Sequence, residues 1–229
     1  MRTVGLIGGL GPESTIDYYR RIIAEWQRED PQSSPSIVID SLDVTRGLWL
    51  AQNDLKGMEA YLNESIARLV GAKVDFIALT ANTGHLVFDE IAATSPVPMI
   101  SIVETCADEA ERRGLKRLLL LGTRFTQDGP FYPRVFGRRG MEIVTLTPDD
   151  RIWLHERYIG ELLRGDFRDT AREGIVARVM RAREEHAIDG VILGGTELPL
   201  LLQAETIAGL PMLDTTALHV TAIVGQLRL

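Results

Sequence analysis

The chain has 229 residues, 45% of them apolar and 25% charged, which is typical of a soluble globular protein of one large or two small domains. Lys and Arg together number 25 against 32 Asp and Glu, so the formal net charge is −7. Binders of nucleic acid or of anionic membranes need a basic face, so we expect neither as a partner.

Short apolar runs alternate with longer amphipathic stretches along the chain. The runs are almost continuously apolar, as parallel strands covered on both faces are. The predicted strands are Thr3–Gly8, Ser36–Ile39, Val74–Leu79, Pro98–Ile102, Arg117–Leu121, Glu142–Thr145, Gly190–Leu193 and Pro211–Leu213. The predicted helices cover 13–28, 53–70, 103–113, 149–164, 169–186 and 215–227. This alternation predicts an α/β fold with parallel sheets.

An internal repeat divides these elements into two similar sets. One constant shift along the sequence carries Thr3–Gly8 onto 117–122, Tyr18 onto Tyr132, and Asp75 onto Asp189. We therefore predict two pseudo-symmetric lobes, each with a short parallel sheet flanked by helices. Residues 1–97 with 210–229 are predicted to form the first lobe and residues 98–209 the second.

The repeat also predicts where a ligand binds. Parallel α/β sheets bind ligands beyond the carboxyl ends of their strands, and two facing lobes would put that site in a cleft between them. Four segments follow predicted strands and are expected to line it: 8–15, 80–85, 122–126 and 194–197.

The segment 8–15 reads GGLGPEST and joins the first strand to the first helix. Glycines such as Gly9 let the backbone approach a ligand, and the helix N-terminus presents N–H groups to an anion. Ser14 and Thr15 add hydroxyl donors. Neither the dinucleotide nor the Walker spacing is present, so a small carboxylate is expected rather than a nucleotide. The alternative is a tight strand-to-helix turn with Pro near its start.

The segments 80–85 and 194–197 are related by the repeat and carry small, hydroxyl or amide side chains. Asn82, Thr83 and Thr196 suit carboxylate binding, and Thr123 offers a further hydroxyl in the counterpart of the glycine-rich segment. Two titratable residues also lie in this pair of segments.

Those two residues are His85 and Glu197, each of which could serve as an acid or base. The alternatives are a structural histidine and a carboxylate that favours a helix start.

Cysteine and histidine usage bears on compartment and metal binding. The single cysteine, Cys106, excludes an intrachain disulfide and a cysteine-rich metal site. The four histidines lack the spacing of a helical zinc site, so no metal is expected. The sequence shows no signal-peptide pattern and no run approaching about 18 apolar residues. We therefore expect a soluble, cytoplasmic protein.

At these motifs the sequence resembles the aspartate/glutamate racemase family, the cofactor-independent amino-acid racemases. The motifs, in order, are GLIGGLGPEST, ANTGH, LLGTRFT, GGTELPLL and PMLDTTALH. The resemblance implies two pseudo-symmetric α/β lobes, a homodimer, an acidic amino acid as substrate, and no pyridoxal phosphate or metal cofactor. It also implies one catalytic cysteine from each lobe, on opposite faces of the substrate Cα. One thiolate removes the Cα proton while the opposite thiol supplies another, which inverts the centre.

The chain departs from the family at both cysteine positions, where it has Ala81 and Gly195. Neither residue can carry a proton, and Cys106 is expected to be a small core residue of the helix predicted at 103–113. Arg46, after the second strand, falls near the family's basic residue for the substrate side-chain carboxylate. Arg164 has the same standing, and surface charge is the alternative for both.

The sequence leaves three functions open. The first is an isomerase-type enzyme with one-base chemistry at His85 or Glu197, which would favour isomerisation, decarboxylation or elimination. The second is a catalytically inactive binder of an acidic amino acid or small dicarboxylate. The third is an active racemase whose two cysteines were replaced, although the use of two different residues, Ala81 and Gly195, argues against it. Restoring both cysteines is expected to restore some racemisation.

Overall fold

The computed structural model describes residues 2–229, which form two compact units. Lobe one contains the described residues up to Thr105 together with Thr216–Leu229, and lobe two is the continuous stretch Cys106–Thr215.

Lobe one is built from the first half of the chain and its last helix. Its elements are β1 (Thr3–Gly8), α1 (Pro12–Glu29), β2 (Ser36–Ser41), α2 (Val44–Asn53), α3 (Leu55–Gly71), β3 (Phe76–Leu79), a 3-10 turn (Thr83–Val87), α4 (Phe88–Thr94) and β4 (Met99–Ile100). The helix α5 (Ile102–Arg112) carries the chain from lobe one into lobe two.

Lobe two repeats this alternation of strands and helices. Its elements are β5 (Arg117–Leu121), α6 (Arg124–Asp128), α7 (Phe131–Arg138), β6 (Glu142–Thr145), α8 (Pro148–Gly160), a 3-10 turn (Leu162–Arg164), α9 (Asp169–His186), β7 (Gly190–Leu193), α10 (Leu198–Leu201), β8 (Thr206–Ile207) and β9 (Leu210–Asp214). The helix α11 (Thr215–Leu227) then returns the chain to lobe one.

The two sheets have the same strand order. Within the described residues, the first sheet runs β2-β1-β3-β4 and the second runs β6-β5-β7-β9, with every one of these pairs parallel. The second sheet adds the short antiparallel edge strand β8 on β9. The predicted α/β class with two lobes, each containing a parallel sheet, is therefore confirmed.

The repeated aspartates make the same contact in each lobe. The Asp75 carboxylate accepts a hydrogen bond of 2.6 Å from the backbone N–H of Thr3, at the start of β1. The Asp189 carboxylate accepts one of 3.0 Å from the backbone N–H of Arg117, at the start of β5. In lobe one, Asp75 thus links the chain just before β3 to the start of β1. In lobe two, Asp189 links the chain just before β7 to the start of β5.

The chain passes from one lobe to the other later than the boundaries at 97/98 and 209/210 that were predicted from the sequence. β4 pairs with β3, so residues 99–100 stay with the first sheet. β9 pairs with β7, so residues 210–214 stay with the second sheet. The exchanges therefore fall after Thr105 and after Thr215.

Alternation along the central strands builds a core on both faces of the first sheet. Val4 and Leu6 of β1 pack with α1 and α11, in a cluster that includes Tyr18 and Ile223. Ile7 points the other way, into a cluster with α3 and α4. The strand is buried on both sides, which explains its unbroken apolar sequence.

Within residues 2–229 no helix is long and apolar enough to cross a membrane. The same residues contain no group of three or more His, Cys, Asp or Glu side chains that could hold a metal ion.

Candidate functional site

The glycine-rich loop of lobe one is held by its own hydroxyl groups. The Ser14 and Thr15 hydroxyls each donate a 2.9 Å hydrogen bond to the carbonyl oxygen of Gly11. The Thr15 oxygen also accepts a 2.9 Å bond from the N–H of Gly9. Both side chains are buried. These hydroxyls therefore stabilise the loop, and both of their hydrogens are already donated to the Gly11 carbonyl.

Gly9 is the residue of this loop that needs to be glycine. Its φ is +81°, in the left-handed region that side chains disfavour. A Cβ built on Gly9 would overlap the backbone oxygen and nitrogen of Leu42, just after β2. The loop thus lies directly against the neighbouring strand end, where Leu42 N–H bonds the Gly8 carbonyl at 2.9 Å.

The segment 80–85 leaves β3 as a buried turn. Thr80 ties it to β1, because its backbone N–H and its hydroxyl bond the Ile7 carbonyl at 3.1 and 3.0 Å. Ala81 and Asn82 are 6% and 3% exposed, and Thr83 is half-buried at the start of the 3-10 turn. The predicted ligand residues of lobe one therefore lie at the carboxyl end of its sheet.

His85 has both ring nitrogens engaged with the backbone. Its Nε2 accepts a 3.3 Å bond from the N–H of Ile102 at the start of α5, which assigns the hydrogen to Nδ1. Nδ1 then donates to the Ala81 carbonyl at 3.1 Å, and the ring stacks on Phe88 at 4.5 Å. This arrangement suits a residue that positions the turn more than one that exchanges protons with a ligand.

Burial lowers the pKa of His85 to about 3 and that of His219 to about 4, with the charge of His219 lowering the His85 pKa further. Both rings are therefore neutral in the folded protein above about pH 4, whereas in the unfolded chain they bind protons below about pH 6.5. The unfolded state then binds more protons than the folded state, so stability is expected to fall as pH falls from about 6.5.

We expect His85→Gln to weaken this acid sensitivity, because glutamine offers one donor and one acceptor but cannot be protonated. From pH 6 to pH 4 the variant should lose about 2 kcal/mol less unfolding free energy than the parent protein. Urea titrations at each pH measure the difference. His186→Gln, at the partly exposed end of α9, is the matched control and should follow the parent curve. Parallel curves for His85→Gln and the parent would contradict the prediction.

Arg46 is an exposed cation on α2, which begins after β2. Asp43 caps this helix by accepting from the N–H groups of Thr45 and Arg46. The guanidinium lies 4.3 Å from the ring centroid of Tyr61 and makes no ion pair with any residue in the range 2–229. Helix α2 contacts the 3-10 turn that follows Asn82. Arg46 is thus a cation held at the same end of the sheet as the predicted ligand residues.

In lobe two, the ends of β5 and β7 approach closely. A Cβ on Gly122 would lie 2.6 Å from the carbonyl oxygen of Gly194, so the two glycines allow the strand ends to meet. Thr123 is buried and caps α6 by accepting from the N–H of Thr126. Gln127 links the Gly122 carbonyl to the N–H of Leu146 beyond β6, at 3.0 and 3.3 Å.

Gly195 faces a tyrosine from α8. A Cβ on Gly195 would lie 2.5 Å from Cε2 and 2.6 Å from the hydroxyl oxygen of Tyr158. The same hydroxyl donates to the Glu197 carboxylate and accepts a 3.2 Å bond from the Glu197 N–H. The Thr196 hydroxyl donates to that carboxylate at 3.3 Å. Gly195, Thr196 and Glu197 are therefore brought together around one buried phenol.

Tyr158 is the site residue that the sequence did not reveal. It lies within the predicted helix 149–164, where nothing distinguishes it from a core aromatic residue. Burial, and then the nearby charge of Glu197, raise the pKa of its phenol well above the ordinary value. The phenol is therefore protonated at neutral pH.

Cys106 is fully buried on α5, as expected of a small core residue. Burial, and then the nearby charge of Asp214, raise the pKa of its thiol above the ordinary value. The thiolate form is thus disfavoured, and Cys106 is a poor nucleophile or base.

A repeated parallel sheet with glycine, hydroxyl and amide residues after the central strands defines a two-lobed α/β protein with its candidate ligand residues at the carboxyl ends of the strands. The chain belongs to the Asp/Glu/Hydantoin racemase family, which it matches over residues 7–223. The family resemblance noted from the sequence motifs is therefore confirmed.

Individual relatives agree with this assignment. A broad-specificity amino-acid racemase of Bacillus subtilis is 29% identical over 147 residues, which are 62% of this chain and 63% of that protein. A candidate Asp/Glu racemase of Yersinia pestis has a similar solved structure, with 31% identity, full coverage of both chains and a TM-score of 0.87. An aspartate racemase homologue of Pyrococcus horikoshii gives 31% identity, full coverage of both chains and a TM-score of 0.82.

Proposed function

We propose that this protein binds an acidic amino acid or a small dicarboxylate at the loops that follow its sheet strands, and that it does not racemise its ligand by two-thiol chemistry. Neither a metal nor pyridoxal phosphate is required, and the protein acts in the cytoplasm.

The observation that carries this proposal is the absence of a usable thiol. The resemblance assigns the two catalytic cysteines to the positions of Ala81 and Gly195. Cys106 is the only cysteine of the chain, and it is fully buried with a raised thiol pKa. A carbon acid as weak as an amino-acid Cα needs a base on one face and an acid on the other to be inverted.

The proposed ligand contacts follow from chemistry and position. Asn82 and Thr83 follow a central strand and offer amide and hydroxyl groups to one carboxylate. Thr196 follows the corresponding strand of lobe two, where its hydroxyl is donated to Glu197. Arg46 is our candidate for binding a second anionic group of the ligand, because it has no acidic partner among residues 2–229. Thr123 is the corresponding hydroxyl of lobe two.

Ligand NMR with separate L- and D-aspartate and L- and D-glutamate tests this function. We expect saturation transfer from the protein to at least one of these acids. We expect no transfer to asparagine or glutamine, which have the same shape without the second charge. The circular dichroism of the bound amino acid should stay constant over time. Rapid racemisation by the unmodified protein would contradict the proposal, and so would the absence of any binding.

We expect Asn82→Ala to weaken binding of that ligand about tenfold to a hundredfold, because one hydrogen bond to a charged group contributes about 1.5–3 kcal/mol. Asn53→Ala is the control, since Asn53 is exposed at the end of α2 and bonds the Trp49 carbonyl. Isothermal titration of the two variants and the parent measures the change. Equal affinity for Asn82→Ala and the parent would remove Asn82 from the site.

The resemblance also implies a homodimer, and exposed apolar side chains on lobe one support it. Ile16 and Tyr19 of α1 are each 45% exposed, and Ile39 of the edge strand β2 is 39% exposed. Sedimentation at micromolar concentration is expected to give twice the chain mass of 25.4 kDa. A mass equal to that of one chain would contradict the dimer.

A further inference from the structure

Glycine is needed at position 195 because of the neighbouring Tyr158 side chain, and not because of the backbone conformation at that position. Its φ lies outside the left-handed region, so a side chain there meets no conformational barrier. The direction that a side chain would take is instead occupied by the ring edge of Tyr158, with its hydroxyl oxygen 2.6 Å from the Cβ position. The phenol thus occupies the space that a cysteine side chain at this position would enter.

The hydroxyl of Tyr158 is bonded as a proton carrier would be. It donates to the Glu197 carboxylate and is oriented by the Glu197 N–H at 3.2 Å. The Thr196 hydroxyl holds the same carboxylate oxygen at 3.3 Å. Tyr158 and Glu197 are 3% and 1% exposed, so the pair is shielded from bulk water. A phenol backed by a carboxylate can release its proton to that carboxylate while it accepts another.

We propose that Tyr158 is the proton-transfer residue of lobe two, in place of the second thiol, and that Glu197 stores the proton that Tyr158 releases. This inference rests on the proposed function, because the carbon acid is the acidic amino acid bound there. The Tyr158 oxygen takes the Cα proton while the phenolic hydrogen passes to the Glu197 carboxylate, which leaves a Cα carbanion. The reverse step returns a proton to the same face.

The proposal predicts an exchange reaction without inversion. A protein equilibrated in D2O carries deuterium on the Tyr158 hydroxyl, and the forward step passes this deuteron to Glu197 and leaves the hydrogen from Cα on the phenol. The two then interchange between the hydrogen-bonded phenol and carboxyl groups, so that the reverse step returns a deuteron to Cα. Ala81, which the resemblance assigns to the opposite face, has no proton to give. One enantiomer should therefore exchange its Cα hydrogen and keep its configuration, while the other enantiomer should bind without exchange.

The experiment incubates the full-length protein in D2O with each enantiomer of aspartate and glutamate and follows the Cα proton signal by NMR. We expect the signal of one enantiomer of at least one acid to decay while its optical activity stays constant. Tyr158→Phe keeps the ring edge against Gly195 and should slow this exchange at least a hundredfold, with affinity changed less than threefold. Tyr19→Phe, on the exposed face of α1, is the control and should exchange like the parent.

Each result decides between the two proposals. Binding without exchange in the parent, or exchange that persists in Tyr158→Phe, overturns this inference and leaves the proposed function standing. Exchange of both enantiomers also overturns it, because it requires a second base. No binding of any of the four acids overturns the proposed function and this inference together. If Tyr158→Phe does not fold, Glu197→Gln tests the same relay, since it removes the proton acceptor and should also abolish exchange.

Discussion

Replacing Gly9 by alanine is expected to lower the free energy of unfolding by about 2–5 kcal/mol, since two effects add. A residue with a Cβ at φ +81° costs about 1–2 kcal/mol relative to glycine. The new methyl group would also overlap the Leu42 backbone, which cannot rotate away as a side chain can, and overpacking of this kind costs about 1–3 kcal/mol.

Gly137→Ala is the matched control for Gly9→Ala. Gly137 lies in α7, and a Cβ there meets no heavy atom within 4 Å. Alanine in this helix should stabilise the protein by up to about 1 kcal/mol, because glycine is the poorer helix former. Urea unfolding of the two variants and the parent measures both effects. A Gly9→Ala protein as stable as the parent would show that the loop can relax away from β2.

The sequence alone predicts that restoring both cysteines restores some racemisation, but the structure changes this expectation: racemisation should appear only when Tyr158 is changed as well. Ala81→Cys/Gly195→Cys puts the new Cβ at position 195 within 2.6 Å of the Tyr158 hydroxyl. The double variant should therefore lose about 1–3 kcal/mol of stability and misplace its second thiol. Adding Tyr158→Leu removes the outer ring atoms and the hydroxyl. The triple variant should invert aspartate or glutamate, measured by circular dichroism of the amino acid over time.

The single replacements are the controls for the triple variant. Ala81→Cys alone, and Gly195→Cys with Tyr158→Leu, each supply one thiol and should give at most Cα hydrogen exchange, because inversion needs a donor opposite the acceptor. Full racemisation by the Ala81→Cys/Gly195→Cys protein with Tyr158 intact would show that the tyrosine moves aside easily. An inactive triple variant that still binds aspartate would remove positions 81 and 195 from the reaction.

Much of the fold could be predicted because strand patterns and the internal repeat can be recognised in short stretches of sequence. β1 and β5 are predicted at their observed start residues, and the shift that carries Asp75 onto Asp189 matches two identical hydrogen-bonding roles. Helix α2 was not predicted, and the helix predicted over 53–70 is α3. Asp54 ends the first and caps the second by accepting from Gly57 N–H, a break that apolar periodicity does not register.

The site was less predictable because its contacts are made by packing between distant segments. The sequence identified Gly195 as a departure from the family. The structural reason for glycine there is Tyr158, which lies on α8, in a separate segment of the chain. His85 was a candidate acid or base, and only the Ala81 carbonyl and the Ile102 N–H reveal how its ring is used. A side chain's partners across the fold leave no periodic pattern in a sequence.

The return of α11 to lobe one has a consequence for how the chain folds. Lobe two is one uninterrupted stretch of chain, so its whole core is synthesised before the remainder of α11. Lobe one must wait, because Val220, Ile223 and Leu227 complete the layer over Val4 and Leu6. During translation the lobe made first is therefore finished last, and its sheet stays uncovered on the α11 side while lobe two closes. A released chain that ends at Asp214 should resist proteolysis in lobe two and be cut in lobe one.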